Sequence, residues 1–180
     1  MNKTELKEFL DEKAIFYNQP KFIESDPIQI PHLFSQKEDI EIAGFLVATI
    51  AWGNRKSIIK NGNRLMNLMD HAPFDFVMNH SKKDLNSLSH FVHRTFNGGD
   101  LAYFIKALHH IYTCHGGLET VFANYAEEDS LQPSIHGFKK LFFSLPHATR
   151  TEKHVSDPLK NSAAKRINIF IGIIMTAILF

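Results

Sequence analysis

Residues 35–69 read SQKEDIEIAGFLVATIAWGNRKSIIKNGNRLMNLM, two helical patterns interrupted at Gly53. In the first, Ile42, Phe45, Leu46, Ile50 and Trp52, with Ala43, Val47 and Ala51 between them, surround most of a helical circumference, which predicts a central, buried helix. Ser35 and Glu38 have the spacing of a capping box at its start. In the second, Ile58, Ile59, Leu65, Met66 and Met69 recur at three- and four-residue steps on one side, the mark of an amphipathic helix, and Asn54 is placed to cap it. A helical hairpin with a sharp polar turn is the expected unit.

Working outward, the same periodicity predicts helices at Pro73–Asn79, Lys82–Leu88, Asp100–Cys114, Leu118–Ala126 and Gln132–Leu145, with Gly98-Gly99 and Gly116-Gly117 as breaks. No convincing strand is found, and residues 90–96 fit neither pattern. Met1–Tyr17 alternates charged and apolar residues like a surface helix, unlike a secretory leader. Residues 20–34, with Asp26-Pro27 and Ile30-Pro31, are expected to form an extended connector, and 146–161 a polar loop. The fold class expected is all-α, a single compact helical domain over 1–180, with sixteen phenylalanines filling its core.

One cysteine, Cys114, excludes an internal disulfide and suits a reducing, cytoplasmic setting. His110 and Cys114 stand one turn apart, but without a second spaced pair no metal site is expected, and no cofactor. The run Glu127-Glu128-Asp129 reads as a solvated loop. Phosphate-cradling glycine loops, nucleophile elbows and the His-Glu-x-x-His motif are absent from the sequence, which removes several familiar enzyme classes.

The net charge of +1 conceals a polarity. Residues 1–41 carry five lysines against nine acids, whereas 42–180 carry fifteen basic residues against ten acidic ones. Two cationic helix beginnings stand out. Arg55 and Lys56 follow Asn54, and Lys60 and Arg64 continue that run; Lys165 and Arg166 follow Ser162, with Arg150, Lys153 and Lys160 shortly before. Cations there oppose the helix macrodipole at about 0.3–1 kcal/mol each, but combined with free amides they suit a phosphate. A solvated face explains the same charges without a ligand.

The strings Asp26-Pro-Ile28, Pro31-His32, DIEIAGFLVATIAWGNRK over residues 39–56 and SAAKRIN over 162–168 closely resemble a bacterial family, domain of unknown function 2400. The similarity extends through Arg64-Leu-Met66, Ala72–Phe76 and Gly117-Leu-Glu119. More distantly, the unit Ile40–Met69 resembles the helix-hairpin-helix DNA glycosylase superfamily. That resemblance implies a bundle of that fold, DNA as the partner, Asn54 as a minor-groove wedge and Arg55 and Lys56 near phosphate. It also implies a later segment carrying a catalytic aspartate. Here IGIIMTAILF follows at 171–180, so the expectation is a truncated or frame-shifted product, incomplete at the C-terminus, with no assignable catalytic residue. Ile167–Phe180 is too short for a membrane span of about twenty residues, so burial is expected and membrane insertion is not. The competing reading is a noncatalytic interaction domain binding RNA or an acidic protein.

Overall fold

The computed structural model describes residues 2–17, 19–127 and 130–177, with side chains through Ile173. Its helices among these residues are α1 (Lys3–Tyr17), α2 (Pro20–Ile23), α3 (Lys37–Thr49), α4 (Arg55–Leu68), α5 (Pro73–Asn79), α6 (Lys82–Ser87), α7 (Gly98–Cys114), α8 (Leu118–Ala123), α9 (Gln132–Phe142) and α10 (Lys165–Ala177). The architecture is mostly helical, as the periodicity requires. No helix among the described residues is long and apolar enough to cross a membrane. The ending at 171–180 lies largely outside the described side chains, as do Glu128 and Asp129 of the acidic run.

Helix α3 is the axis of the fold, with every residue from Glu41 to Thr49 buried. Phe45 gathers the rings of Phe104, Phe138, Phe142 and Phe170 with centroids 5.3–5.6 Å away, so α7, α9 and α10 all meet on one α3 residue. The expected capping box at Ser35 is absent: the helix follows Gln36, which makes no side-chain cap. Instead, Glu38 and Asp39 in the first turn complement the macrodipole. Asp39 is further engaged by the amide of Phe74 at 2.8 Å, which ties the start of α5 to the start of α3. Buried Glu41 accepts from the Tyr112 hydroxyl at 2.6 Å, and burial raises its pKa.

Residues 20–34 are not extended. Prolines 20, 27 and 31 each open a helical turn, namely α2 and the 3-10 turns Pro27–Gln29 and Pro31–Leu33. Proline at a first helical position removes an N–H that has no partner anyway and presets φ, so these residues start turns rather than forbid them. The segment is held down by Ile30, fully buried, whose side chain occupies the space a Cβ at Gly62 of α4 would need.

The region 88–97 holds the structure that periodicity could not resolve. A 3-10 turn (Leu88–His90) leads into a hairpin of strands β1 (Val92–His93) and β2 (Phe96–Asn97), paired antiparallel as Val92 with Asn97 and His93 with Phe96. Gly98 does not break the chain. It begins α7, and a side chain there would drive into the Leu88 carbonyl and Ser89. Asn97 and Asp100 form a reciprocal capping box at that end.

Residues 146–161 are polar but not a free loop. They form 3-10 turns at Thr149–His154 and Pro158–Lys160, and Thr151, His154, Val155 and Asp157 are buried. Helix α1 buries no residue, in keeping with a surface helix.

Candidate nucleic-acid interface

The polar turn between α3 and α4 is built as its residue types demand. Gly53 adopts φ +108°, where an L side chain is strained, and Asn54 accepts from the amide of Ser57 at 3.2 Å to cap α4. Arg94, at φ +54° in the hairpin turn, lays its guanidinium 4.9 Å from the Trp52 ring centroid, in the space that a side chain at Gly53 would claim. His93 beneath it is buried, which lowers its pKa. Its Nε2 lies 3.4 Å from the Trp52 carbonyl, and its Nδ1 is 3.0 Å from the Asn61 amide nitrogen. Those partners fit a neutral ring with the proton on Nε2.

From this turn the contacts run round to the second cationic region and back. Arg150 donates to the Thr95 carbonyl of the hairpin at 2.7 Å. Lys153, in the same 3-10 turn as Arg150, offers its carbonyl to Arg166 at 3.2 Å. Arg166 also donates to the Thr49 carbonyl at 2.9 Å, and Thr49 ends the helix that leads to Gly53. The start of α10 is therefore tied to the end of α3, six residues before Arg55. An apolar groove of about 490 Å³ beside them is lined by Val47, Ala51, Gly53, Arg55, Ile169 and Gly172.

A buried carboxylate underlies this ring. Asp100 accepts from Arg150 at 2.7 and 2.8 Å, from the Thr151 hydroxyl at 2.8 Å and from the Asn97 amide at 3.0 Å. Burial opposes its charge, but these donors outweigh burial and hold its pKa below the usual carboxylate value. His154 Nε2 lies 3.3 Å from Asp100 without hydrogen-bond alignment. Burial, reinforced by Lys153, Arg166 and Arg150 and opposed by Asp100, brings its pKa down to about 4. His154 is neutral at pH 7. Thr49 Oγ1, Trp52 Nε1 and His154 Nε2 are buried without a hydrogen-bond partner, so three of the five such atoms among the described residues fall in this ring.

The sequence-predicted cations divide into two groups. Lys56, Lys60 and Lys165 are exposed, and none has an acid within ion-pair distance among the described residues. Arg55 is half committed, 3.8 Å from Asp26 and 5.6 Å from the Phe22 ring. Arg64 and Arg166 are structural. Arg64 donates to the His90 carbonyl at 2.9 Å and covers the Phe91 ring, while Arg166 satisfies the C-terminal end of α3 rather than presenting its charge. Ser162 closes a turn onto the Ala164 amide instead of capping α10, which starts at Lys165. The sequence reading missed Arg94, whose only local mark was a charge in a stretch that fitted no pattern. His110 and His115 face each other at 3.3 Å, and no cluster of three or more metal-binding side chains exists among the described residues.

A family model described as "Protein of unknown function (DUF2400)" matches residues 26–173. The chain belongs to this family. The match contains every residue of the ring and leaves α1 outside. No curated protein and no solved structure matches the chain.

Proposed function

We propose that this DUF2400 protein binds duplex DNA across the surface joining the Trp52–Lys56 turn, the hairpin tip at Arg94 and the start of α10. The observation that carries this reading is the closed ring of contacts linking these three elements, with Lys56, Lys165 and part of Arg94 and Arg150 left to solvent. Three acids on or beside these elements are already engaged: Asp26 by Arg55, Asp100 by Arg150, and Glu152 by His147 at 3.1 Å. A surface with surplus cations on fixed backbone is what phosphate contacts require. The order of buried helix, capped turn and amphipathic helix at Ile40–Met69 also supports DNA over other polyanions, through its resemblance to helix-hairpin-helix glycosylases. No residue is assigned a catalytic step.

The test is fluorescence anisotropy of a labelled duplex titrated with the full chain at several salt concentrations. Lys56→Ala/Lys60→Ala/Lys165→Ala should weaken binding and flatten the plot of log K against log salt by roughly two to three units, since each lost phosphate contact contributes about 0.9. An unchanged slope, or no binding of the wild-type chain at low salt, refutes the proposal. Tighter binding of single-stranded RNA or a polyglutamate competitor would favour a noncatalytic interaction domain instead.

A further inference from the structure

A second concave site lies along α9, in two chambers that share His136 and Lys140. The larger, about 550 Å³, has apolar walls from Tyr125, Pro133, Leu141 and Leu159, with Ser144 at its edge. Its volume is within the range of about 300–1,000 Å³ usual for small-molecule sites. The Tyr125 ring rests against Gly137, where any side chain would displace it, and remains 45% exposed. The bare glycine thus seats a half-exposed aromatic ring in the wall of the chamber.

The smaller chamber, about 260 Å³, is polar: Lys139, Lys140 and Lys160 meet Asp157 and Glu152 there. Both acids are already occupied. Asp157 accepts from the Leu159 amide at 3.0 Å and faces His136 Nδ1 at 3.2 Å; Glu152 faces His147. Lys140 and Lys160 are exposed and have no acid within ion-pair distance among the described residues. Lys139 is partly buried, which lowers its pKa against the pull of Asp157 and Glu152. An apolar slot with an aromatic wall therefore opens directly onto a group of under-neutralised ammonium groups.

We infer that this cleft binds a small ring-bearing phosphate ester of the nucleoside monophosphate class, its ring against Tyr125 and Leu159 and its phosphate between Lys140 and Lys160. The site shares none of Trp52–Lys56, Arg94, Arg150 or Lys165 with the proposed DNA surface, although its Glu152 belongs to the same 3-10 turn as Arg150. His136 lines both chambers, with its Nδ1 engaged by Asp157 at 3.2 Å.

The experiment is a 1H–15N correlation titration of the full chain with adenosine monophosphate, adenosine and inorganic phosphate in turn. The monophosphate should shift the amides of Gly137, Ser144 and Leu159 saturably, and more tightly than either fragment. Lys140→Ala/Lys160→Ala, on exposed positions, should weaken the monophosphate about tenfold and leave adenosine unaffected, whereas Tyr125→Ala should weaken both. Absence of saturable shifts up to about 10 mM, a weak limit near 3 kcal/mol of binding, would overturn the inference. So would shifts at these amides caused by duplex DNA and not by the monophosphate, an outcome that leaves the DNA proposal standing.

Discussion

Replacing Asp100 with alanine tests whether the buried carboxylate organises the ring. The variant removes the acceptor of the Asn97 amide, of the Thr151 hydroxyl and of Arg150 at one stroke. Loss of a helix cap costs about 1 kcal/mol, and removing one partner from a buried ion pair about 3–5 kcal/mol. These terms overlap. Arg150 is 44% exposed at its side chain and can turn to water, so the lower end applies and about 3–4 kcal/mol is expected. With a urea dependence of about 2 kcal/mol per molar, the unfolding midpoint followed by circular dichroism should fall by roughly 1.5–2 M. Asn at this position keeps one acceptor and should lose about half as much. Adding Arg150→Ala to Asp100→Ala should cost less than Arg150→Ala does alone, because the pair is already broken. A loss under about 1 kcal/mol for Asp100→Ala, or strict additivity with Arg150→Ala, would show that the network has no organising role.

The pH dependence follows from His154. Its pKa is about 4 in the folded chain against about 6.5 unfolded, so the folded state binds fewer protons in between. This stability is fully present above pH 6.5 and is lost as pH falls toward 4, at up to about 1.4 kcal/mol per unit and about 3 kcal/mol in all. Urea midpoints at pH 7 and 5.5 should differ less in His154→Gln than in the wild type; equal differences refute the assignment. Gly98→Ala should destabilise the chain by about 3 kcal/mol or more, because the added methyl meets backbone at Leu88 and Ser89 rather than a movable side chain. A thermal midpoint within a degree or two of wild type would contradict that packing.

Much of the helical order was legible because α3 and α4 carry their partners in local spacing: Ile42, Phe45 and Leu46 for burial all round, and Ile58, Leu65 and Met66 for one buried stripe. The Asn54 cap was legible for the same reason, since donor and acceptor are three residues apart. The hairpin was not, because two-residue strands show no alternation. Nor could proline content distinguish a turn that Pro27 starts from one it would break; that depends on what Ile30 packs against. Counting charges at the two helix beginnings gave Lys56, Lys165, Arg64 and Arg166 equal weight. Only the fold separates the lysines left to solvent from arginines spent on the carbonyls of His90, Thr49 and Lys153.

The union of α3 with α10 has a consequence for how the protein is made. Phe170 and Ile173 cover Phe45 and Gly44, and Arg166 reaches a carbonyl 117 residues earlier in the chain. During synthesis from the N-terminus, the deeply buried helix α3 emerges long before its lid. Until residues 165–173 leave the ribosome, the part of the Phe45 and Gly44 surface that Phe170 and Ile173 cover has to wait, even with Phe104, Phe138 and Phe142 in place, and closing that long loop becomes a late event in folding.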